Sequence, residues 1–189
     1  MSTQQKEVEI KFFIGHSAQE IIEKIGTNNW QSIEQINQTD TYYTSKYKDF
    51  IKSEECLRIR EENNKIELTW KPPTNSLMTI EKQYWKEELN IQIVDSKTKI
   101  QRLLEVLDFK EYIVVCKKRT TFKVDDETVI CLDYIKDVGY FIEIETFSDD
   151  DLNSKNKNIK IADMLDLDAS KIVNIPYRDI VYSQEKTDG

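Results

Sequence analysis

Branched aliphatic and aromatic residues alternate with charged ones in short runs along most of this chain. A period of two predicts strands with one apolar and one polar face. Glu7, Glu9 and Lys11 alternate with Val8, Ile10 and Phe12, and Arg58 and Arg60 with Leu57 and Ile59. Glu67, Thr69 and Lys71 oppose Ile66, Leu68 and Trp70, while Lys86 and Glu88 oppose Leu89, Ile91 and Ile93. Lys117, Arg119 and Thr121 share one parity, and Asp133 stands opposite Ile130, Leu132 and Tyr134. Glu143 and Glu145 oppose Tyr140, Ile142 and Ile144, and Asp40 shares a side with Tyr42.

Turn residues divide these runs into about eight strands. Asn63-Asn64 between Cys56 to Glu62 and Lys65 to Lys71 has hairpin spacing, and Pro72-Pro73 stops the second of that pair. A long fifth strand is expected from Thr79 to Ile93, and a meander over Tyr112 to Lys123, Val129 to Tyr134 and Tyr140 to Phe147. Helical spacing is rarer. Ser17 with Glu20 predicts a capping box before Ile21, Ile22 and Ile25, with Gly26 closing the helix. Asp95 or Ser96 can cap a second helix carrying Ile100, Leu103, Leu104 and Leu107. Thr27 to Thr39 and Ser148 to Asn158 are polar without a period, and short helices are expected near Ile161 to Leu165 and Tyr177 to Tyr182. The fold class is therefore α+β: an eight-stranded antiparallel β-barrel or tunnel with a charged interior, its apolar exterior covered by a few helices. One domain is expected over residues 1–183, followed by a flexible tail, 184–189.

Charge and composition narrow the chemistry. A net charge of −8 over 189 residues argues against a nucleic-acid surface. Three cysteines without metal-type spacing, and no apolar leader before the first charges, give the expectation of a reduced, cytoplasmic protein off the membrane. One histidine, His16, leaves no basis for a His-based metal site or a Ser-His-Asp triad. Chemistry must rest on carboxylates, lysine and arginine.

Alternation alone also fits an ordinary sheet whose charged face is wet. An outer-membrane barrel alternates in the same way, but helices between the strands speak against it. Arg58 with Arg60 and Glu143 with Glu145 are like charges on one face, which repel unless something of opposite sign lies between them. Same-face neighbours on a strand are roughly 6.5–7 Å apart, so a third acid from another strand is needed to hold one ion. Glu7, Glu9, Asp133, Glu143 and Glu145 form an all-oxygen set suited to Mg²⁺ or Mn²⁺. Lys11, Arg58, Arg60, Lys71, Lys86, Lys117 and Arg119 are what a polyphosphate requires. Together they predict phosphoryl or nucleotidyl transfer.

The ordered motifs Glu7-x-Glu9-x-Lys11, Asp40-x-Tyr42-Tyr43, Leu57-Arg58-x-Arg60, Leu68-Thr-Trp-Lys71, Lys117-x-Arg119, Leu132-Asp133 and Gly139-Tyr-Phe-Ile-Glu143-Ile-Glu145 resemble the CYTH superfamily of triphosphate tunnel metalloenzymes. The opening and the Glu143-x-Glu145 stretch are most similar to its class IV adenylyl cyclase-like branch. Lys86 in place of arginine, Thr44 after the tyrosine pair and Pro-Pro after Lys71 depart from that branch. The resemblance implies an eight-stranded tunnel, with Glu7, Glu9 and Glu145 as first metal ligands and Glu143 and Asp133 next. Glu9, Lys11, Asp133 and Glu145 would be catalytic. Lys11, Arg58, Arg60, Lys71, Lys86, Lys117 and Arg119 would hold the triphosphate. The implied partner is ATP, tripolyphosphate or thiamine triphosphate. The activity would be cyclisation of ATP, triphosphate hydrolysis, or binding without turnover, and room is left for a homodimer.

Overall fold

The structure, a computed structural model, describes residues 6–72, 89–94 and 96–188. Eight strands occur in chain order: β1 (Lys6–Gly15), β2 (Gln31–Ser45), β3 (Cys56–Glu62), β4 (Lys65–Lys71), β5 (Leu89–Ile93), β6 (Phe109–Lys123), β7 (Thr128–Ile135) and β8 (Gly139–Ser148). Four helices accompany them: α1 (Gln19–Thr27), α2 (Lys97–Val106), α3 (Asp151–Met164) and α4 (Tyr177–Asp188). Hydrogen bonds join the strands in the order β1-β8-β7-β6-β2-β3-β4-β5. The ladders β1–β8, β8–β7, β7–β6, β2–β3, β3–β4 and β4–β5 are antiparallel. Among the described residues β1 and β5 are the two ends of this sheet, so the expected ring is not closed by hydrogen bonds. The expected first part of the fifth strand, Thr79 to Glu88, lies outside the described residues, and Lys86 and Trp85 lie there with it.

The chain forms two compact units. The first comprises Met1–Ile36 and Lys117–Asn174. Its core lies on the apolar faces of β1, β7 and β8, where Phe12, Ile130, Leu132, Ile142 and Ile144 meet Ile21 and Ile25 of α1 and Ile161 and Leu165 of α3. The period-two pattern thus does what it predicts here, since alternate residues are delivered to a face that helices cover. α1 begins later than the capping box predicts. Ala18 stands at its N-cap and makes no side-chain cap, and Ser17 Oγ accepts only a long 3.4 Å bond from the Gln19 amide. Gly26 is inside the helix, and the chain leaves through Asn29, whose φ of 58° is in the left-handed region that asparagine tolerates.

Two segments without an apolar period turn out to be regular. The first part of β2, from Gln31, is strand although its first five residues are exposed. Most of Ser148 to Asn158 is the first half of α3, opened by Asp150, whose carboxylate accepts from the Asn153 amide. This part of α3 buries Ser154 and Asn158, polar residues that a hydrophobic pattern cannot register.

The second unit comprises Asn37–Cys116 and Ile175–Gly189. The β3–β4 hairpin falls where Asn63-Asn64 predicts it, and both asparagines have positive φ, 46° and 64°, as a tight two-residue turn requires. Its core gathers Tyr43, Phe50, Leu57, Ile59 and Leu104, with Trp70 partly buried against them. Only part of the α2 stripe packs: Leu104 is buried, whereas Leu103 and Leu107 are more than half exposed. α4 continues to Asp188, beyond the short helix expected at Tyr177 to Tyr182. None of the described helices is long and apolar enough to cross a membrane.

Candidate functional site

In the first unit the polar faces of β1, β8, β7 and β6 carry one continuous group of charges. The register sets Glu9 opposite Glu145 and Lys11 opposite Glu143 across β1–β8, and Arg119 opposite Asp133 across β6–β7. Carboxylate oxygens of Glu7, Glu9 and Glu145 all lie within 4.8 Å of one another. Glu7 and Glu9 are exposed and Glu145 is buried, so the trio runs from solvent into the protein. Three hard oxygen donors at that separation fit Mg²⁺ or Mn²⁺ and offer nothing that favours zinc.

Beside the trio the acids and bases interlock. Arg119 donates from Nε and Nη2 to the two oxygens of Asp133, each at 2.7 Å, and from Nη1 to Glu145 at 3.1 Å. Its Nη2 also pairs with Glu143. Lys117 Nζ stands 3.2 Å from Asp133, which is fully buried, and Lys11 Nζ is 3.1 Å from Glu143 and 3.8 Å from Glu9. Asp133 and Glu143, expected as further metal ligands, are thus placed against cations, while Glu7, Glu9 and Glu145 are brought together.

The electrostatics split the two buried glutamates. Burial opposes the charge on Glu143, but Arg119, Lys11 and Lys117 outweigh it and hold this carboxyl well below the usual range. Glu145 moves the other way: burial raises it, Arg119 opposes, and Glu143, Glu7 and Glu9 add like-charge repulsion, so it is pushed up to about 8. Burial also works against the Lys11 charge, yet Glu143 and Glu9 hold the ammonium above its ordinary value.

A second charged group belongs to the second unit. Arg60 donates from Nε and Nη2 to both oxygens of Asp40, each at 2.7 Å, a bidentate fork. Arg58, which is buried, donates from Nη1 to Asp40 at 3.3 Å, and among the described residues its Nε has no hydrogen-bond partner. Tyr42 donates its hydroxyl to Asp40 at 3.4 Å. Burial, reinforced by the Asp40 charge, raises the Tyr42 phenol and keeps it protonated. Lys71 lies on β4 at the position paired with Cys56, two residues along β3 from Arg58. Asp40 is the centre of this group; the sequence places it on a strand face and in the motif Asp40-x-Tyr42-Tyr43 but assigns it no role in the site. Its shared parity with Tyr42 was the available signal, but parity does not show that β2 pairs with β3 so as to set Asp40 against Arg60.

The strands of this antiparallel sheet carry, on their polar faces, carboxylates and guanidinium groups, the donor types that a metal ion and an anion respectively require. The chain belongs to the CYTH domain family, whose model matches residues 5–173. Members of this family act on triphosphates, as adenylyl cyclase-like enzymes or as triphosphatases, and use divalent metals. A Methanocaldococcus jannaschii protein named a putative adenylate cyclase is 32% identical over 151 residues, covering 80% of this chain and 82% of its own. The solved structure of the PH1819 protein of Pyrococcus horikoshii superposes with a TM-score of 0.79 at 30% identity, covering 94% of this chain and 99% of that one. A Hippeastrum protein, whose structure is described as a putative adenylyl cyclase with a dominant triphosphatase activity, superposes with a TM-score of 0.66 over 96% of each chain. At its 13% identity the likeness is one of fold.

Proposed function

We propose that this protein is a divalent-metal-dependent enzyme that converts ATP to cyclic AMP and pyrophosphate, as the adenylyl cyclase-like branch of its family does. The observation that carries the reading is the meeting of Glu7, Glu9 and Glu145 within 4.8 Å, one of them also bonded to Arg119. Glu7, Glu9 and Glu145 hold Mg²⁺ or Mn²⁺. When bound, such an ion supplies charge neutralisation on phosphate oxygens and acidifies an attacking hydroxyl.

The chain's own residues do the rest. Lys11, Lys117 and Arg119 bind phosphate oxygens. Arg58, Arg60 and Lys71, for which the sequence implies the same role, belong to the second unit, Lys86 lies outside the described residues, and the reading rests on the first unit's residues alone. Asp133 and Glu143 keep Arg119, Lys117 and Lys11 aimed and charged. The ribose 3′-hydroxyl attacks the α-phosphorus and its proton passes to solvent. The bond from the α-phosphorus to the bridging oxygen breaks, and pyrophosphate leaves with that oxygen. Arg119 and Lys11 offset the charge that builds on the leaving group.

A second reading keeps every residue and replaces the hydroxyl with water: hydrolysis of tripolyphosphate or thiamine triphosphate. It is favoured by the activity stated for the Hippeastrum protein of the same fold. Incubation with Mg²⁺ or Mn²⁺ and each of the three triphosphates separates the two by product. Cyclic AMP with pyrophosphate is the expected result, orthophosphate release establishes the second reading, and binding without turnover overturns both. Glu9→Gln should lower turnover by at least the roughly 10- to 100-fold that loss of an outer-sphere partner costs; unchanged turnover would remove the acid trio from the site.

A further inference from the structure

One buried polar residue of α3, Asn158, bonds the backbone of both strands that carry the acid trio. Asn158 is 1% exposed, and its side-chain amide donates to Val8 O at 2.8 Å and to Ile144 O at 3.1 Å. Those carbonyls belong to the peptide groups that join Val8 to Glu9 and Ile144 to Glu145. Thr146 donates its hydroxyl to Asn158 Oδ1 at 2.6 Å and meets Thr128 Oγ1 at 3.0 Å. Both threonines are 1% exposed. The amide has its two N–H groups and its carbonyl all in use, and the two backbone carbonyls, which can only accept, fix which way it faces.

This arrangement is costly unless it does more than cover the sheet. A buried amide gives up its bonds to water, and an aliphatic residue would fill the same place without that loss. α3 already supplies Ile161 and Leu165 to the core. What the amide adds is a tie between two strands whose facing residues repel. Glu9 and Glu145 are directly opposite in the β1–β8 register, and like charges so placed push their strands apart.

We propose that Asn158 is a positioning residue for the metal site: from the apolar side of the sheet it clamps the peptides preceding Glu9 and Glu145 and holds their carboxylates at chelating separation. The inference rests on the reading of Glu7, Glu9 and Glu145 as the metal-binding trio. Thr146, itself bonded to Thr128, acts through Asn158 by donating to its carbonyl and so anchoring the side chain.

Three measurements on the full chain test it: Mn²⁺ affinity by calorimetry without substrate, tripolyphosphate affinity in EDTA, and urea unfolding without metal. Asn158→Leu removes the clamp at similar volume. It should unfold cooperatively and bind tripolyphosphate in EDTA within about twofold of the natural protein, while Mn²⁺ affinity falls about 10- to 100-fold, as for outer-sphere partners of bound metals. Thr146→Val, which leaves Asn158 Oδ1 without its donor and loosens the clamp, should lower Mn²⁺ affinity by a smaller factor. In a Glu145→Gln background the Asn158→Leu change should cost little further affinity, because the two act on one site. Native Mn²⁺ affinity in Asn158→Leu overturns the proposal, and so does an equal loss for metal and tripolyphosphate. Should Asn158→Leu not fold, native Mn²⁺ affinity in Thr146→Val overturns it instead. Absence of Mn²⁺ binding in the natural protein would remove the metal-site reading and this inference with it; binding there with no effect of the variants removes the inference alone.

Discussion

Glu145 answers to two demands at once, because it accepts from Arg119 and belongs to the acid trio. Its raised carboxyl carries a pH dependence whose sign can be worked out. Between the ordinary value of 4.5 and about 8 the folded protein holds a proton that the unfolded chain has lost. Stability of the metal-free protein therefore falls as pH rises through that window, the reverse of the trend for a carboxylate held low, such as Glu143. Metal binding requires that proton to leave, so Mn²⁺ affinity should climb over the same range. Glu145→Gln should flatten both trends, and urea unfolding and Mn²⁺ titration from pH 5 to pH 8 would show it; slopes unchanged in the variant would take this titration away from Glu145. The alternation of charge along β1 and β8 was enough to put Glu7, Glu9 and Glu145 on one face. What alternation could not convey was how the cations would be shared, because that depends on cross-strand register: Asp133 and Glu143 look equivalent to Glu145 in the sequence, but they meet Lys117 and Lys11 as well as Arg119, whereas Glu145 meets Arg119 and the acids Glu7 and Glu9.

Among the elements, the hairpins were the most legible because a turn residue has a local backbone reason to be where it is. Asn63-Asn64 is one case, and Gly139, at the start of β8, is another. Gly139 has φ of +134°, and a Cβ built there would lie 2.6 Å from the Gly15 carbonyl oxygen on β1. Gly139→Ala should therefore destabilise by about 1–3 kcal/mol, through both the unfavourable backbone angle and the clash. Guanidinium unfolding checks this, and a variant as stable as the natural protein would mean that β1 and β8 can separate there without cost. The first half of α3 and the first half of β2 were illegible for a different reason. α3 buries Ser154 and Asn158, whose fit depends on hydrogen-bond partners far away in sequence, and β2 begins with exposed residues that are strand because of their neighbours in the sheet. A method that looks for apolar periodicity finds faces that repel water, and neither segment has its identity written that way.

Over the whole molecule, each compact unit pairs an apolar cluster on one side of its strands with a charged cluster on the other. The strand parities that announced the fold also grouped the charged side chains, since the same alternation that builds a core leaves the remaining side chains facing one another. The net charge of −8 hides this, because the cations that matter are spent on buried partners and contribute nothing to a basic surface. The family match ends at residue 173, so α4 and the buried Arg178, which donates to the Glu55 carbonyl at 2.5 Å, lie beyond it.

If the proposed function holds, the bond between Arg119 and Glu145 couples the metal ion and the triphosphate to each other. A phosphate group that takes over the Arg119 donors releases Glu145 for the ion, and an ion that draws Glu145 away leaves Arg119 a donor short of partners. Such linkage is reciprocal: the factor by which a non-hydrolysable triphosphate tightens Mn²⁺ must equal the factor by which Mn²⁺ tightens the triphosphate. Titrations in both orders, corrected for chelation in free solution, should give the same factor, greater than one and reduced by Glu145→Gln. Independent binding in the natural protein would show that the two sites do not share this residue. Coupling of this sign would make the Arg119–Glu145 bond a latch that is closed when the site is empty and that either ligand, on arrival, loosens for the other.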